Sequence, residues 1–263
     1  MTISLFGSFT PIPSAGGSQI APGPITLVPP GSMAADDLAF VYSAVRDGVA
    51  ITNSQAGGQA WTPETQDGGY RIFRALFNGS WSADPTFTAS GSTEAFTGLG
   101  HVFRSSIAGG LEVDVALGVG AISAGGGVKT IPGITTLTDG ALVIVGWAIP
   151  AIEDWSALTG GWTTLGTQDH TNTGGSDLTL SMAHKVMGAA GPTGDVAQTS
   201  ANGFDPGRYF IMAFKEAVSG TPTERSRGLS LEQLTQGGKG FSAKLTSPGW
   251  WRERLESGLW VPA

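Results

Sequence analysis

The chain has 263 residues, a net charge of −7, 41 glycines, 15 prolines and no cysteine, and only 13% of its residues are charged. These values exclude a disulfide-stapled fold, a thiolate metal site, a collagen and a disordered chain, and they favour many short strands joined by tight turns. Residues 218–263 hold six basic and four acidic residues, so the rest of the chain carries −9. An acidic body without a basic stripe argues against nucleic-acid binding.

Residues 1–35 are predicted to form an extended N-terminal arm. One apolar strand, residues 3–9, precedes six prolines, which cannot donate ladder hydrogen bonds and therefore belong at an edge or on the surface. Two roles stay open for this arm: it wraps a neighbouring subunit, or it lies on its own domain. No basic segment precedes residues 3–6, so we expect no secretory signal.

Residues 36–217 are predicted to form a β-sandwich built from two related halves, about 36–110 and 138–217. In each half an acidic residue (Asp37, Asp139) precedes an apolar run, and a Trp-Thr pair follows a polar loop at Trp61 and Trp162. Self-similarity at a long period indicates a repeated structural unit. Because both halves carry a tryptophan at this point, we interpret Trp61 and Trp162 as core residues.

The hydrophobic pattern predicts strands throughout this region. They cover residues 38–45, 70–77, 86–88, 101–103, 111–119, 141–148, 178–186, 195–199 and 209–215. Residues 38–45 are almost continuously apolar, which is typical of a strand covered on both faces. Residues 111–119 alternate strictly, which predicts one buried and one solvated face. The longest apolar run, residues 140–152, is too short for a membrane helix of about 20 residues, so we expect no membrane span.

Residues 218–263 are predicted to be a linker followed by a short amphipathic helical tail. Ser247-Pro248 is a helix-start signal, and Trp251, Leu255 and Leu259 share one helical face. A short tail cannot bury so much aromatic area alone, so we expect it to bind a partner. The predicted partner-binding residues are Trp250, Trp251, Arg252, Arg254, Leu255, Leu259 and Trp260.

The sequence carries no catalytic or metal-binding motif that stands out, so we expect no cofactor, no metal and no enzymatic activity. The glycine loop at residues 120–130 lacks the spacing of a phosphate-binding loop, and the three histidines are far apart in sequence. The acidic pairs Asp36-Asp37 and Glu153-Asp154 are interpreted as solvated turn residues. Trp81 and Trp155 fall beside predicted loops, where an exposed ring can stack on a sugar, and they are the candidate ligand-binding residues.

The repeated pattern, carried by residues 139–145, 161–163, 178–188 and 209–215, resembles β-sandwich domains of bacteriophage virion proteins, such as tail fibre, tail-tip and decoration proteins. The resemblance implies an all-β, antiparallel, jelly-roll-like sandwich. It also implies a non-enzymatic structural component of a virion, assembled in the host cytoplasm, with other virion proteins and further copies of itself as partners. The alternative is a carbohydrate-binding adhesion module that contacts a host surface glycan. A glycan-degrading enzyme on the same scaffold is a third hypothesis, without a carboxylate pair to support it.

Overall fold

The structure is a computed structural model. It describes residues 2–12, 18–20, 24–54, 58–89, 91, 94–125, 127–156, 158, 160–170, 177–200, 205–217, 255–256 and 259–260. The chain divides into two compact units, Met1–Ser219 and Gly220–Ala263.

The described residues form strands joined by turns and loops, and all the strand pairings among them are antiparallel, so the predicted all-β class is confirmed. The strands are β1 Ile3–Ser8, β2 Thr10–Ile12, β3 Ser18–Ile20, β4 Ile25–Val28, β5 Leu38–Val45, β6 Ile51–Asn53, β7 Thr62–Pro63, β8 Tyr70–Leu76, β9 Thr86–Ala89, β10 Ala95–Ser105, β11 Leu111–Ile122, β12 Val128–Ile131, β13 Thr135–Thr136, β14 Leu142–Ile149, β15 Thr163–His170, β16 Leu178–Val186, β17 Gly191–Pro192, β18 Val196–Thr199, β19 Gly207–Glu216, β20 Leu255–Glu256 and β21 Leu259–Trp260.

Two main sheets organise the first unit. The first main sheet has the order β1-β10-β5-β8-β7, with β3 also paired to β10, and the second has the order β11-β19-β14-β16-β15. If β3 is left aside, the two main sheets have the same topology. When the five strands of each sheet are numbered along the chain, their spatial order is first, fifth, second, fourth, third. A smaller sheet, β2-β4-β9-β6, accompanies the first main sheet, and the pairs β12-β18 and β13-β17 accompany the second.

Three hydrophobic clusters show how these sheets are layered. The central cluster packs the first main sheet against the second, for example through Phe40 and Phe214. A second cluster joins the first main sheet to β4 and β9, and a third joins the second main sheet to β12 and β18. The main sheets are therefore covered on both faces, which is why every residue of β5 and of β14 is buried. The sequence-based expectation for residues 38–45 is confirmed.

Strand β11 departs from the strict alternation that its sequence predicts. Its pairing with β19 shifts register between Val113 and Val115 and again between Val115 and Gly118. Each β-bulge turns the following side chains towards the other face of the sheet. As a result Val115 packs against the third cluster, whereas Val113 and Leu117 pack against the central one. Asp114 is buried and receives hydrogen bonds from the Leu137 amide and the Thr138 hydroxyl. The predicted single apolar face is wrong beyond the first bulge.

The arm at residues 1–35 lies on its own domain wherever it is described. Strand β1 pairs with β10, and β4 pairs with β9. Pro11, which cannot donate a ladder hydrogen bond, lies in β2 at the edge of its sheet, the position where a strand tolerates proline.

In the second unit, the predicted helix is wrong at the residues that the structure describes. Leu255 pairs with Trp260 and Glu256 with Leu259, so both segments are antiparallel strands. The helical spacing of the leucines is overridden by this local pairing.

Candidate functional site

Trp81 is half-buried and belongs to an aromatic cluster. Its ring stacks on Phe9 at 6.0 Å between centroids and contacts Phe77 at 5.3 Å and Trp61 at 5.9 Å. Its indole N–H donates to Gln59 Oε1 at 3.2 Å. The ring therefore closes one end of the second hydrophobic cluster, and only part of it remains for stacking on a ligand.

Trp155 is also half-buried and lies against Trp147, with 6.1 Å between ring centroids. A β-bridge to Ser200 fixes its backbone, and its indole nitrogen is buried without a hydrogen-bond partner among the described residues. Trp61 and Trp162 are 5% and 8% exposed, which confirms that both are core residues.

The predicted partner-binding tail is described only in part. Leu255, Leu259 and Trp260 have a described backbone in β20 and β21. Trp250, Trp251, Arg252 and Arg254 lie outside the described residues, so their predicted role stays a prediction.

A cleft opens between the two main sheets where β5 and β8 face β11 and β19. It is narrow: its cavity volume is about 10 Å³, which is room for about one water molecule. Its lining combines aromatic, apolar and charged residues: Tyr42, Thr65, Asp67, Tyr70, Arg71, Ile72, Leu117, Val119, Arg208, Tyr209 and Phe210. Arg208 Nη1 lies 3.7 Å from Asp67 Oδ2, and the Tyr42 ring meets Phe210 edge-on at 4.7 Å.

The tyrosines of the cleft are electrostatically distinct. Burial, with smaller contributions from Tyr70 and Asp67, raises the pKa of the Tyr42 hydroxyl well above 10. Burial also raises the pKa of the Tyr70 hydroxyl, and Arg208 and Arg46 partly oppose this shift. Both phenols therefore stay protonated at neutral pH and can donate a hydrogen bond.

A buried polar layer lies between the second main sheet and the pair β12-β18. Lys129 is fully buried, and its Nζ donates to the carbonyl oxygens of Asp205 at 2.9 Å and Ser123 at 3.4 Å. Glu153 is 2% exposed, and neither of its carboxylate oxygens has a hydrogen-bond partner among the described residues. Burial raises the pKa of Glu153, while the positive charge of Lys129 opposes that shift.

These positions correct the interpretation of the acidic pairs as solvated turn residues. Asp36 and Asp154 are exposed, but Glu153 and Asp37 are each only 2% exposed. Asp37 receives two hydrogen bonds of 2.7 Å from the Arg104 guanidinium, which lies next to it in the folded sheet although it is distant in the sequence. The Asp37 carboxylate is thus neutralised by a partner that its own segment does not reveal.

Two of the three histidines come together between the main sheets. His101 is 1% exposed and contacts Ser8 Oγ at 3.0 Å through Nδ1. Burial, together with the nearby His184, lowers the pKa of His101 to about 4. His184 packs edge-on against Phe103 at 5.6 Å. The backbone of His170 lies in β15, and its side chain is outside the described part.

The described residues contain no group of three or more His, Cys, Asp or Glu side chains placed to hold a metal ion. No helix within the described ranges is long and apolar enough to cross a membrane.

Sequence reasoning missed both the cleft and the Lys129 layer. The cleft gathers residues separated by more than 160 positions, from Tyr42 to Arg208, and no local pattern connects them. The sequence does contain a signal for Lys129. It lies two residues before Ile131, and in a strand two side chains at that spacing point to the same face.

Comparison with protein-family models, with characterised proteins and with solved structures finds no match to the chain.

Proposed function

We propose that the protein is a non-enzymatic structural component of a phage virion, a tail, collar or head decoration protein that assembles with other virion proteins and with further copies of itself. The observation that carries this proposal is the division of the chain into a compact acidic β body and a separate unit with a net positive charge and three tryptophans. A compact body with its own core and a separate aromatic unit suit a protein that is fixed to its neighbours.

We also propose that the body consists of two related, jelly-roll-like halves. In support, the middle strands of the two main sheets, β5 and β14, pair with their neighbours at corresponding residues. Leu38 lies opposite Phe103 and Leu76, and in the other main sheet Leu142 lies opposite Phe214 and Val186.

The Trp-Thr pairs support the same relation. Thr62 pairs with Arg74, two residues before Leu76, and Thr163 pairs with His184, two residues before Val186. In each main sheet the first strand lies beside the last, as β1 beside β10 and β11 beside β19, although β1 and β11 precede the predicted halves at residues 36–110 and 138–217. An adjacent first and last strand suits a jelly roll, in which two Greek keys are wrapped together.

Assembly is tested by light scattering after size exclusion on the full chain and on the full chain with Trp250→Ala, Trp251→Ala and Trp260→Ala. We expect a defined oligomer for the parent and a folded monomer for the triple variant. Leu137→Ala is the matched control, because it removes a 73% exposed apolar side chain from the first unit. A parent that stays monomeric at all accessible concentrations contradicts the proposal, as does an oligomer that survives the triple change.

The alternative is a carbohydrate-binding adhesion module that uses Trp81 and Trp155. Each of these rings is half-buried against other rings, so part of its face stays open for a sugar to stack on. A glycan screen in which Trp81→Ala and Trp155→Ala bind as well as the parent contradicts this alternative.

A further inference from the structure

Two histidines lie in the contact between β10 and β16, one strand from each main sheet. His101 is two residues before Phe103 and His184 is two residues after Met182, and both Phe103 and Met182 belong to the central cluster. Side chains at this spacing share one face of a strand, so both rings point into the space between the main sheets. The edge-on contact of His184 with Phe103 and the electrostatic effect of His184 on His101 show that the two rings are neighbours.

Each ring has one nitrogen without a hydrogen-bond partner. Nδ1 of His101 lies 3.0 Å from the Ser8 hydroxyl, and His184 forms a hydrogen bond with the backbone of Thr163. The other two nitrogens, Nε2 of His101 and Nδ1 of His184, are buried without a partner among the described residues. A neutral imidazole has one N–H, which the existing contact can satisfy, but an imidazolium has two. Protonation of either ring therefore buries an unpaired donor together with a charge.

No compensating negative charge faces the two rings in the described part of the interface. Strands β1 to β4 and β14 carry no charged residue, and β5 contributes the titratable Tyr42, which stays neutral because burial raises its pKa. In β15, Asp169 is paired with Thr179 on the opposite face of the sheet, where the Thr179 hydroxyl donates to it, and His170 lies at the far end of the strand. When protonated, the rings therefore meet each other's positive charge.

The positively charged residues next to this contact point away from it. Arg104 follows Phe103 in β10 and binds the Asp37 carboxylate on the outer face of the first main sheet. Lys185 follows His184 in β16, and its Nζ donates to the Gly160 carbonyl. The acid response of the contact is therefore set by the two imidazoles.

The rest of the interface between the main sheets has a different chemistry. The Phe40 ring contacts Phe210 at 5.7 Å and Phe214 at 5.9 Å between centroids, and the Tyr42 ring meets Phe210 edge-on. The protonation state of these rings does not change between pH 7 and pH 4. Acid therefore acts on the β10–β16 contact and leaves the aromatic contacts intact.

We propose that this pair of histidines is an acid-sensitive latch: protonation of both rings separates β10 from β16, while the aromatic contacts keep the rest of the two main sheets together. The folded protein lowers the pKa of His101 to about 4 and also lowers that of His184, from an ordinary value of 6.5. The latch is thus closed above pH 6.5 and opens as the pH falls towards 4. It is independent of the assembly role.

Introduced thiols test the latch, because the chain has no cysteine of its own. Met182→Cys places a thiol beside His184, and Ile72→Cys places one in the central cluster on β8, away from β10 and β16; both parent side chains are buried. The full-length variants are labelled from pH 7 to pH 4 with a pyridyl disulfide, and each rate is divided by that of free cysteine at the same pH. We expect the relative rate at position 182 to rise about tenfold or more and the rate at position 72 to stay unchanged.

Histidine variants then assign the response. His184→Gln, a change at a half-buried position, should remove most of the rise at position 182, and adding His101→Met should remove the remainder. His170→Gln is the matched control and should keep the full response. An unchanged rate at position 182 in acid overturns the proposal, as does an equal rise at position 72, which indicates global unfolding. A rise that persists in His184→Gln and in the double variant assigns the response to carboxylates and also overturns it.

Discussion

Replacing the buried Lys129 with methionine should destabilise the protein strongly, and a second change at Glu153 should restore most of the loss. In the parent, Lys129 is fully buried and its charge opposes the rise in the pKa of Glu153. Lys129→Met leaves the Glu153 carboxylate buried without a compensating charge and removes the donor to the Ser123 and Asp205 carbonyls. The two groups are not in direct contact, so the expected cost is that of leaving buried polar groups uncompensated, about 1–3 kcal/mol in the free energy of unfolding.

The double variant Lys129→Met/Glu153→Leu buries neither charge. Replacing a buried pair by apolar residues is commonly neutral or stabilising by about 1–4 kcal/mol. The proposed relation between the halves supports this outcome: Ile25 and Lys129 each lie 13 residues before the first residue of their central strand, and Ile25 is fully buried. The segment before β5 thus has an isoleucine where the segment before β14 has a lysine.

Urea unfolding of the parent, both single variants and the double variant measures the coupling. We expect a coupling energy of about 0.5–3 kcal/mol, the range for residues that interact. The stability of Lys129→Met should also decrease as the pH rises above 4.5, the ordinary pKa of glutamate, because its folded form holds the Glu153 proton more tightly than its unfolded form. Single effects that simply add, or a Lys129→Met variant as stable as the parent, would refute the reasoning.

Three further outcomes are expected. The pKa of His101 is about 4 in the folded protein and 6.5 in an unfolded chain, so protonation favours the unfolded state. The free energy of unfolding should therefore fall by up to about 3 kcal/mol as the pH drops from 7 to 4. His101→Met should flatten this pH dependence in thermal melts. Burial alone would raise the pKa of Glu216, but hydrogen bonds from Ser105 and Ser106 outweigh it and lower the pKa; Glu216→Gln should cost about 1–2 kcal/mol at pH 7, and an unchanged urea midpoint would contradict this. A Cβ at Gly146 would lie 2.3 Å from Cε1 of the buried Phe210 ring, so Gly146→Ala should cost about 1–3 kcal/mol. Gly188→Ala, with open space around it, should leave the melting temperature unchanged.

Strand positions were largely predictable because hydrophobic periodicity is local. The predicted strands at residues 38–45 and 178–186 agree with β5 and β16 residue for residue. Strand β11 shows the limit: its alternation is regular in the sequence, but its pairing with β19 introduces bulges that only the partner strand imposes. The tail shows another limit, since Leu255 and Leu259 are spaced for a helix and form a strand pair.

The candidate site was not predictable, because its residues meet only through strand pairing and sheet packing. Tyr42 and Tyr70 are brought side by side by the pairing of β5 with β8, and Arg208 reaches them from the second main sheet. In the sequence Glu153 has the pattern of a turn residue, but in the structure it is buried and its backbone amide donates to the Thr179 hydroxyl of β16.

The face-to-face packing of the two main sheets has a consequence during synthesis. The inner face of the first main sheet, including Leu38 and Phe40, is covered by residues of the second, such as Phe210 and Phe214. All strands of the first main sheet have been synthesised when the ribosome has passed Ser105. The second main sheet, which covers it, is complete only at Glu216. At about 5–20 residues per second, the ribosome needs roughly 5–20 s to make that difference. During this interval a large apolar face is open to other nascent chains, so expression yield should depend on chaperone capacity more than on the stability of the finished fold.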